Sequence, residues 1–331
     1  MTTGVPEALF QHDLVLHDGA TALVDLMVPF VLDGADLGDR VVLVGEPAFV
    51  DVMLTAVPGV PGIVAVPRSG RARFPGRDLR QFQRVLSTLG EGPRLRVVNQ
   101  MPRMAPDAWH EWRRYEAAAN RLLAQHRVWS TCAYATDGLD AGMLQDLATS
   151  HPHVLTAGGR ERSERFARLD VHIGTYLDVP RHPIEATAPQ LSLTNPTAVA
   201  ARRAIREPGT AISLPAAAID AAVLAVSETV TNSSLHGQRP ARLQAWTRDG
   251  RLTISVTDAG AGPHPLVGLV PAPVDEGSGR GMWILLQMLA DIRHRTDRHG
   301  YTVRFSVGHD MVALAPGGPQ ASAAGDRAVR S

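Results

Sequence analysis

The sequence predicts an α/β protein of two domains, a mainly parallel α/β domain followed by an α/β sandwich with a mixed sheet. Short apolar runs alternate with helix-like segments through the first half of the chain, and a proline-rich stretch without periodicity then interrupts the pattern. After that stretch, two helical segments come before the strands instead of between them. The 331 residues suffice for two domains of ordinary size.

The N-terminal domain is predicted at residues 10–175, where strands and helices alternate over short connections, as in a parallel sheet with crossover helices. Apolar runs predict strands at residues 12–17, 40–45, 63–66, 94–99 and 128–135. Helical patterns predict a helix that ends near residue 30, helices at 47–57, 77–89 and 106–126, and one that ends near 149.

Residues 176–189 are predicted to be a linker, because positions 179–189 contain three prolines and show no periodicity. The second domain is predicted at residues 190–308. Its helices are predicted at 195–206, with Asn195 or Thr197 as the cap, and at 215–236 and 281–292; its strands are predicted at 243–247, 252–257 and 302–307. Residues 315–331 are rich in Ala, Gly, Pro and Ser and are predicted to be a disordered tail.

Composition indicates a cytoplasmic protein. The formal net charge is zero, so we expect no direct contact with nucleic acid. The single cysteine, Cys132, excludes an internal disulfide and suits a reducing compartment. The N-terminus lacks the basic and apolar regions of a signal peptide, and no apolar stretch approaches the roughly 20 residues that span a bilayer. We therefore expect no membrane contact.

Three short polar segments of the second domain are candidates for a nucleotide site. All 33 Lys+Arg residues are arginine, which excludes a lysine-containing phosphate loop of the Walker type. In the first segment, Glu228 and Asn232 lie four residues apart and share one face of a helix. A carboxylate beside an amide suits Mg²⁺ between triphosphate oxygens, with the asparagine as a ligand and the glutamate as a general base. A solvated polar stripe on an amphipathic helix has the same pattern.

The second segment begins with Asp258 at the end of a predicted strand. A carboxylate there suits the exocyclic amine of adenine, and Gly260 and Gly262 let the backbone approach the base. An ordinary strand-ending turn uses the same residue types.

The third segment surrounds Arg280 with Gly277, Gly279 and Gly281, just before an apolar helix. Backbone N–H groups at a helix N-terminus receive phosphate oxygens, and Arg280 adds a charged donor. Such glycines are also common in loops without a ligand. Thr302 places a hydroxyl at the start of the last strand.

Residues 190–307 resemble the ATP-binding domain shared by gyrase B, the large heat-shock chaperones, histidine kinases and the mismatch-repair ATPases, the GHKL or HATPase_c superfamily. The resemblance rests on the three segments and their order. It implies ATP and Mg²⁺ as cofactors, with Asn232 as the Mg²⁺ ligand, Glu228 as the general base and Asp258 as the adenine contact. It also implies a base pocket and phosphate lid shaped by glycines, with Thr302 at the adenine end; these glycines are Gly260, Gly262, Gly279 and Gly281.

Within that superfamily, the run SETVTNSSLHG at 227–237 is similar to the anti-sigma-factor serine kinases. Residues 190–206 contain no histidine, which disfavours a sensor histidine kinase with its own phospho-acceptor. The resemblance implies a protein kinase that binds a sigma factor and phosphorylates a serine or threonine of a STAS-type antagonist. A non-catalytic ATP-dependent partner switch and an orphan histidine-kinase-like sensor remain alternatives, and a homodimer is left open.

The N-terminal region is similar to the MEDS sensory domain. This similarity rests on FQHDL at 10–14, PFV at 29–31, WSTCAYATD at 129–137 and SHP at 150–152. It implies that the first domain senses a small molecule or a protein, which the sequence does not identify.

Several metal-ligand residue types also occur in the N-terminal region: His12, His17, His126, Cys132, His151 and His153. None of them shows the tight spacing of a zinc motif. We interpret them as core or capping residues, and Cys132 as a small core side chain.

Overall fold

The computed structural model describes residues 9–68, 82, 86, 92–103, 106–168, 171, 173–269, 280–289 and 291–309. The chain forms two compact units, the first made of Met1–Val179 and Pro263–Gln287 and the second of Pro180–Gly262 and Met288–Ser331. The chain first passes from one unit to the other after residue 179, which lies within the predicted linker. The predicted tail at 315–331 lies outside the described residues, as does the predicted helix at 77–89 apart from residues 82 and 86.

In chain order the helices are α1 (Ala20–Asp36), α2 (Pro47–Ala56), α3 (Pro106–Leu122), α4 (Ala141–Ser150), α5 (Ala198–Ala211), α6 (Ala216–His236) and α7 (Arg280–Met288). The strands are β1 (Phe10–His17), β2 (Arg40–Gly45), β3 (Val64–Pro67), β4 (Leu95–Gln100), β5 (Val128–Ala135), β6 (His153–Thr156), β7 (Gly159–Arg162), β8 (Leu191–Thr194), β9 (Arg242–Arg248), β10 (Arg251–Asp258), β11 (Asp291–Asp297) and β12 (Gly300–Gly308). Among the described residues, no helix combines the length and apolar character required to cross a membrane.

The first unit is built on a sheet with the strand order β3-β2-β4-β5-β1-β6-β7. All of its pairs are parallel except the hairpin β6–β7, so the predicted mainly parallel α/β fold is confirmed. Helices α1 and α2 cover the sheet through a buried apolar cluster that includes Val15, Leu23, Met27 and Leu43. The hairpin was not predicted, because its second strand is largely exposed and has the polar sequence GRER.

A segment that follows β10 in sequence folds as part of the first unit. In it, Leu266 and Leu269 are buried. The guanidinium of Arg114, on α3, donates from Nε to the carbonyl of Pro265 at 2.8 Å and from Nη2 to that of Val267 at 3.1 Å. Its Nη1 lies 2.5 Å from Glu111 Oε2, and the Arg114 side chain is fully buried. Residues 265–269 are therefore fixed to α3 by charged hydrogen bonds as well as by apolar burial.

The second unit has an antiparallel sheet with the order β11-β12-β10-β9-β8, and α5 and α6 pack against it. This arrangement agrees with the predicted α/β sandwich. Helix α5 begins after Thr197, whose Oγ1 accepts from Ala200 N at 3.2 Å, so Thr197 is the cap. Asn195 instead accepts from the backbone of Ala241 at 2.9 Å.

The predicted helix at 281–292 was wrong at its C-terminal end. The helix stops at Met288, and strand β11 follows from Asp291. The sequence of β11, DIRHRTD, does not alternate apolar and polar residues, so it was not recognised as a strand. Its arginines are buried and are neutralised by carboxylates instead of by water. Arg295 Nη2 lies 2.9 Å from Glu185 Oε2, and Arg293 Nη2 lies 3.7 Å from Asp291 Oδ1.

Candidate nucleotide site

Glu228 and Asn232 lie on α6, as predicted, and both are half-buried. The buried side of this helix is formed by Val226, Thr229 and Val230. Thr229 Oγ1 donates to the carbonyl of Ala225 at 2.7 Å, so its hydroxyl is satisfied within the helix. Within the described part of the chain, neither the Glu228 carboxylate nor the Asn232 amide has a hydrogen-bond partner. Both groups are therefore available to a ligand.

Asp258 is the last residue of β10 and is 5% exposed. Its Oδ1 accepts from Gln238 N at 3.2 Å and from Gly260 N at 2.8 Å. Its Oδ2 accepts no hydrogen bond from the described residues. One oxygen therefore fixes the carboxylate, and the other is left to accept from a ligand.

The carboxylate of Asp258 lies in a gap that only glycine provides. A Cβ added to Gly237, which ends α6, would lie 2.5 Å from the carboxylate carbon, and one added to Gly260 would lie 2.8 Å from Oδ1. Since contacts under 3.0 Å force something to shift, both positions require a missing side chain. Gly237 stands in the run SETVTNSSLHG but was not among the predicted site residues.

Gly262 has a φ of +80°, which glycine adopts without strain, and a Cβ there would lie 2.4 Å from the ring of Tyr301. The Tyr301 hydroxyl lies 2.6 Å from His294 Nδ1. The backbone after Asp258 therefore lies directly on a buried aromatic side chain, which was not predicted as a site residue.

Thr302 does not share the face of the sheet on which Asp258 lies. In the antiparallel pair β10–β12, Asp258 is opposite Tyr301 and Thr257 is opposite Thr302. Successive side chains of a strand point to opposite faces, so Asp258 and Tyr301 share one face and Thr302 lies on the other. There its Oγ1 is 2.9 Å from Thr257 Oγ1. Tyr301, one residue earlier, is the residue of β12 that shares the face of Asp258.

The third predicted segment is only partly described. Gly277 and Gly279 lie outside the described residues. Arg280 and Gly281 begin α7, as predicted, and Arg280 is exposed. Apart from its last residue, α7 belongs to the first unit.

Two family models match the chain. Residues 11–152 match the model named MEDS, the methanogen/methylotroph, DcmR sensory domain. Residues 192–307 match the model of the histidine kinase-like ATPase domain. The second match covers Glu228, Asn232, Asp258 and both glycine-containing segments. The two matches follow each other in the order predicted from the sequence.

No protein of curated function matches the chain. Among solved structures, the chain is similar to the cytoplasmic domain of the Thermomonospora curvata type VII secretion ATPase EccC. The identity is 15%, the match covers 44% of this chain and 20% of that chain, and the TM-score is 0.31. At that TM-score the likeness carries no conclusion about fold or function.

Proposed function

Since residues 11–152 are a MEDS sensory domain and residues 192–307 a histidine kinase-like ATPase domain, we propose that this regulatory, kinase-like protein binds Mg-ATP beside Asp258. We further propose that it is an anti-sigma protein that phosphorylates a serine or threonine of a STAS-type antagonist. The observation that carries the nucleotide proposal is the Asp258 carboxylate, which is fixed through Oδ1 and open at Oδ2.

Each residue of the site has a role in this proposal. Asp258 Oδ2 accepts from the exocyclic amine of adenine, a charged hydrogen bond that contributes about 1.5–3 kcal/mol. The Asn232 amide oxygen is a ligand of Mg²⁺, which neutralises the triphosphate when bound. Glu228, one helical turn before Asn232, accepts the proton of the hydroxyl that is phosphorylated.

A variant of Asp258 tests nucleotide binding. We expect Asp258→Asn to weaken ATP binding about 10- to 150-fold, the factor that corresponds to loss of the charged hydrogen bond. The measurement is calorimetric titration of the full chain with Mg-ATP. Asp249→Asn, in the exposed turn between β9 and β10, is the matched control and should bind as the wild type does. Equal affinity in the two variants would contradict the proposed adenine contact.

Phosphoryl transfer has a separate test in Glu228→Ala. We expect this variant to bind ATP and to transfer no phosphate to a STAS-type antagonist from the same genome, as followed with labelled ATP. Glu207→Ala, exposed on α5, is the control and should retain transfer. If the wild type binds ATP but transfers nothing to any such antagonist, the kinase proposal is wrong.

A non-catalytic switch is the second candidate, because Glu228 and Asn232 could bind Mg-ATP without any transfer of phosphate. In that case ATP changes the affinity for the partner, typically by about 1–3 kcal/mol, without transfer. Glu228→Ala would then leave signalling unchanged. Acid-labile phosphate on a separate histidine protein would instead identify an orphan sensor kinase.

A further inference from the structure

Four buried polar side chains from separate segments meet inside the first unit. They are His12 on β1, Glu116 on α3, Cys132 on β5 and His151 directly after α4. One ligand atom from each lies within 4.8 Å of the others. His12 Nε2 is 3.2 Å from Cys132 Sγ and 3.2 Å from Glu116 Oε2, and His151 Nε2 is 3.6 Å from Glu116 Oε2.

The outer contacts of both histidines fix which ring nitrogen faces the centre of this cluster. His151 Nδ1 is 2.8 Å from the carbonyl of Leu147, which can only accept, so Nδ1 carries the hydrogen. His12 Nδ1 is 3.1 Å from Asn120 Oδ1, and the orientation of that amide is set because its Nδ2 donates to Ser150 O at 2.7 Å. In the neutral rings both Nε2 atoms therefore carry lone pairs.

Two of the inward-facing atoms lack a hydrogen-bond partner in the part of the chain that the structure describes, whereas His12 Nε2 can accept from the thiol of Cys132 at 3.2 Å. Neither His151 Nε2 nor Glu116 Oε2 has a hydrogen-bond partner among the described residues. A buried lone pair that faces a buried carboxylate oxygen is unfavourable unless a cation lies between them.

We propose that His12, Glu116, Cys132 and His151 bind a divalent transition-metal ion of the zinc type. Imidazole, carboxylate and thiolate are its usual ligands, and bonds of about 2.0–2.3 Å in a tetrahedral site separate the ligand atoms by roughly 3.3–3.8 Å. Three of the six separations in the cluster, 3.2, 3.2 and 3.6 Å, are close to that range, and all six lie within 4.8 Å. A thiolate and a carboxylate together neutralise the charge of a divalent ion, which suits a buried site.

The surroundings of the cluster support this ligand set. The hydroxyl of Tyr134 donates to Glu116 Oε1, so Oε2 is the oxygen left for the ion. The fixed outer nitrogens of both histidines are the arrangement that orients metal ligands in proteins. A small cavity lined by His12, Glu116, Cys132 and Asn99 adjoins the cluster.

Cobalt titration of the full chain, stripped with a chelator and freed of any purification tag, tests the proposal. We expect about one Co²⁺ per chain, with the visible bands of a tetrahedral ion and a thiolate-to-cobalt band, and displacement of the cobalt by Zn²⁺. If the wild-type chain binds no Co²⁺, or binds it without the thiolate band, the proposal is overturned. This test uses only the wild-type chain, so its outcome does not depend on whether a variant folds.

Variants assign the ligands. Cys132→Ser should remove the thiolate band, and Glu116→Gln and His151→Gln should each weaken Co²⁺ binding by more than about tenfold. His17→Gln is the matched control for His151→Gln. His17 is likewise a buried histidine, but it contacts Gly19 O instead of the cluster. If His17→Gln and His151→Gln bind Co²⁺ equally, the assignment is wrong. None of these measurements depends on ATP binding.

Discussion

At the scale of single residues, the candidate site depends on which face of a strand each side chain occupies. Asp258 and Tyr301 lie opposite each other on one face of the β10–β12 pair, and Thr302 lies on the other. The Thr302 hydroxyl is already satisfied by Thr257 at 2.9 Å. We therefore expect Thr302 to stabilise the sheet.

Replacing Thr302 separates these two roles. We expect Thr302→Val to lower the free energy of unfolding by about 1–2 kcal/mol, since it leaves the half-buried hydroxyl of Thr257 without this partner. The affinity for ATP should stay unchanged, because the Asp258 face is not altered. Denaturant unfolding and ATP titration measure the two effects. A stable variant with tenfold weaker ATP binding would contradict this expectation and support the predicted place of Thr302 in the site.

Asp291 makes the second unit sensitive to acid. Burial alone would raise the pKa of this carboxyl, but the guanidinium groups of Arg304 and Arg293 outweigh burial and hold the pKa below its ordinary value of 3.8. A carboxyl whose pKa is lowered by folding stabilises the fold at any pH above its ordinary pKa. This stabilisation is lost as the pH falls through the lowered pKa. Asp291 therefore stabilises β11 fully at neutral pH.

We expect the wild type to be more stable than Asp291→Asn at neutral pH and the difference to shrink as the pH falls below 3.8. Denaturant unfolding over a pH series measures this. A difference between the two chains that stays constant into strong acid would show that the charge of Asp291 is not the cause.

At the scale of elements, α3 holds residues 265–269 through a buried charge. Arg114 bonds the carbonyls of Pro265 and Val267 and pairs with Glu111, whose side chain is 4% exposed. Removal of one member of a buried pair leaves the other charge without compensation, which is costly.

We expect Arg114→Ala to destabilise the first unit by about 3–5 kcal/mol, measured by denaturant unfolding. Arg114→Lys should restore only part of the loss, because an ammonium cannot match the planar fork of the guanidinium. Arg103→Ala is the control, since Arg103 and Asp137 form an exposed pair with side chains 72% and 58% accessible, and it should cost about 0–1 kcal/mol. Equal losses in Arg103→Ala and Arg114→Ala would refute the buried-pair argument.

Sequence patterns predict the elements whose burial follows a regular period, and they miss the others. The parallel strands β1, β2, β4 and β5 have apolar runs and were found close to their predicted positions. Strand β11 was missed because its buried arginines pair with Glu185, which is distant in sequence, and with Asp291. The hydrophobic periodicity of a sequence does not reveal such pairs.

The candidate sites show the same limit. Glu228, Asn232 and Asp258 were found on the predicted helix and strand end, because short motifs define local structure. The choice between Tyr301 and Thr302 depends on register, where a shift of one residue exchanges the faces. The meeting of Glu116 with His12, Cys132 and His151 depends on the packing of α3 against the sheet, which spacing along the chain does not show.

At the scale of the whole molecule, the family matches and the compact units do not coincide. The ATPase match runs without interruption from 192 to 307, yet the described residues 263–269 and 280–287 within it fold with the first unit. The chain therefore passes from the first unit to the second, returns, and passes to the second again.

That return has a consequence for how such genes recombine. A crossover in the linker would separate α3 from residues 265–269, leaving the charged pair of Arg114 and Glu111 without its carbonyl acceptors and Leu266 and Leu269 without their burial. Either half, when fused to an unrelated domain, would lack these contacts until point mutations compensated for their loss. We therefore expect the two halves to be exchanged between genomes together, as one cassette.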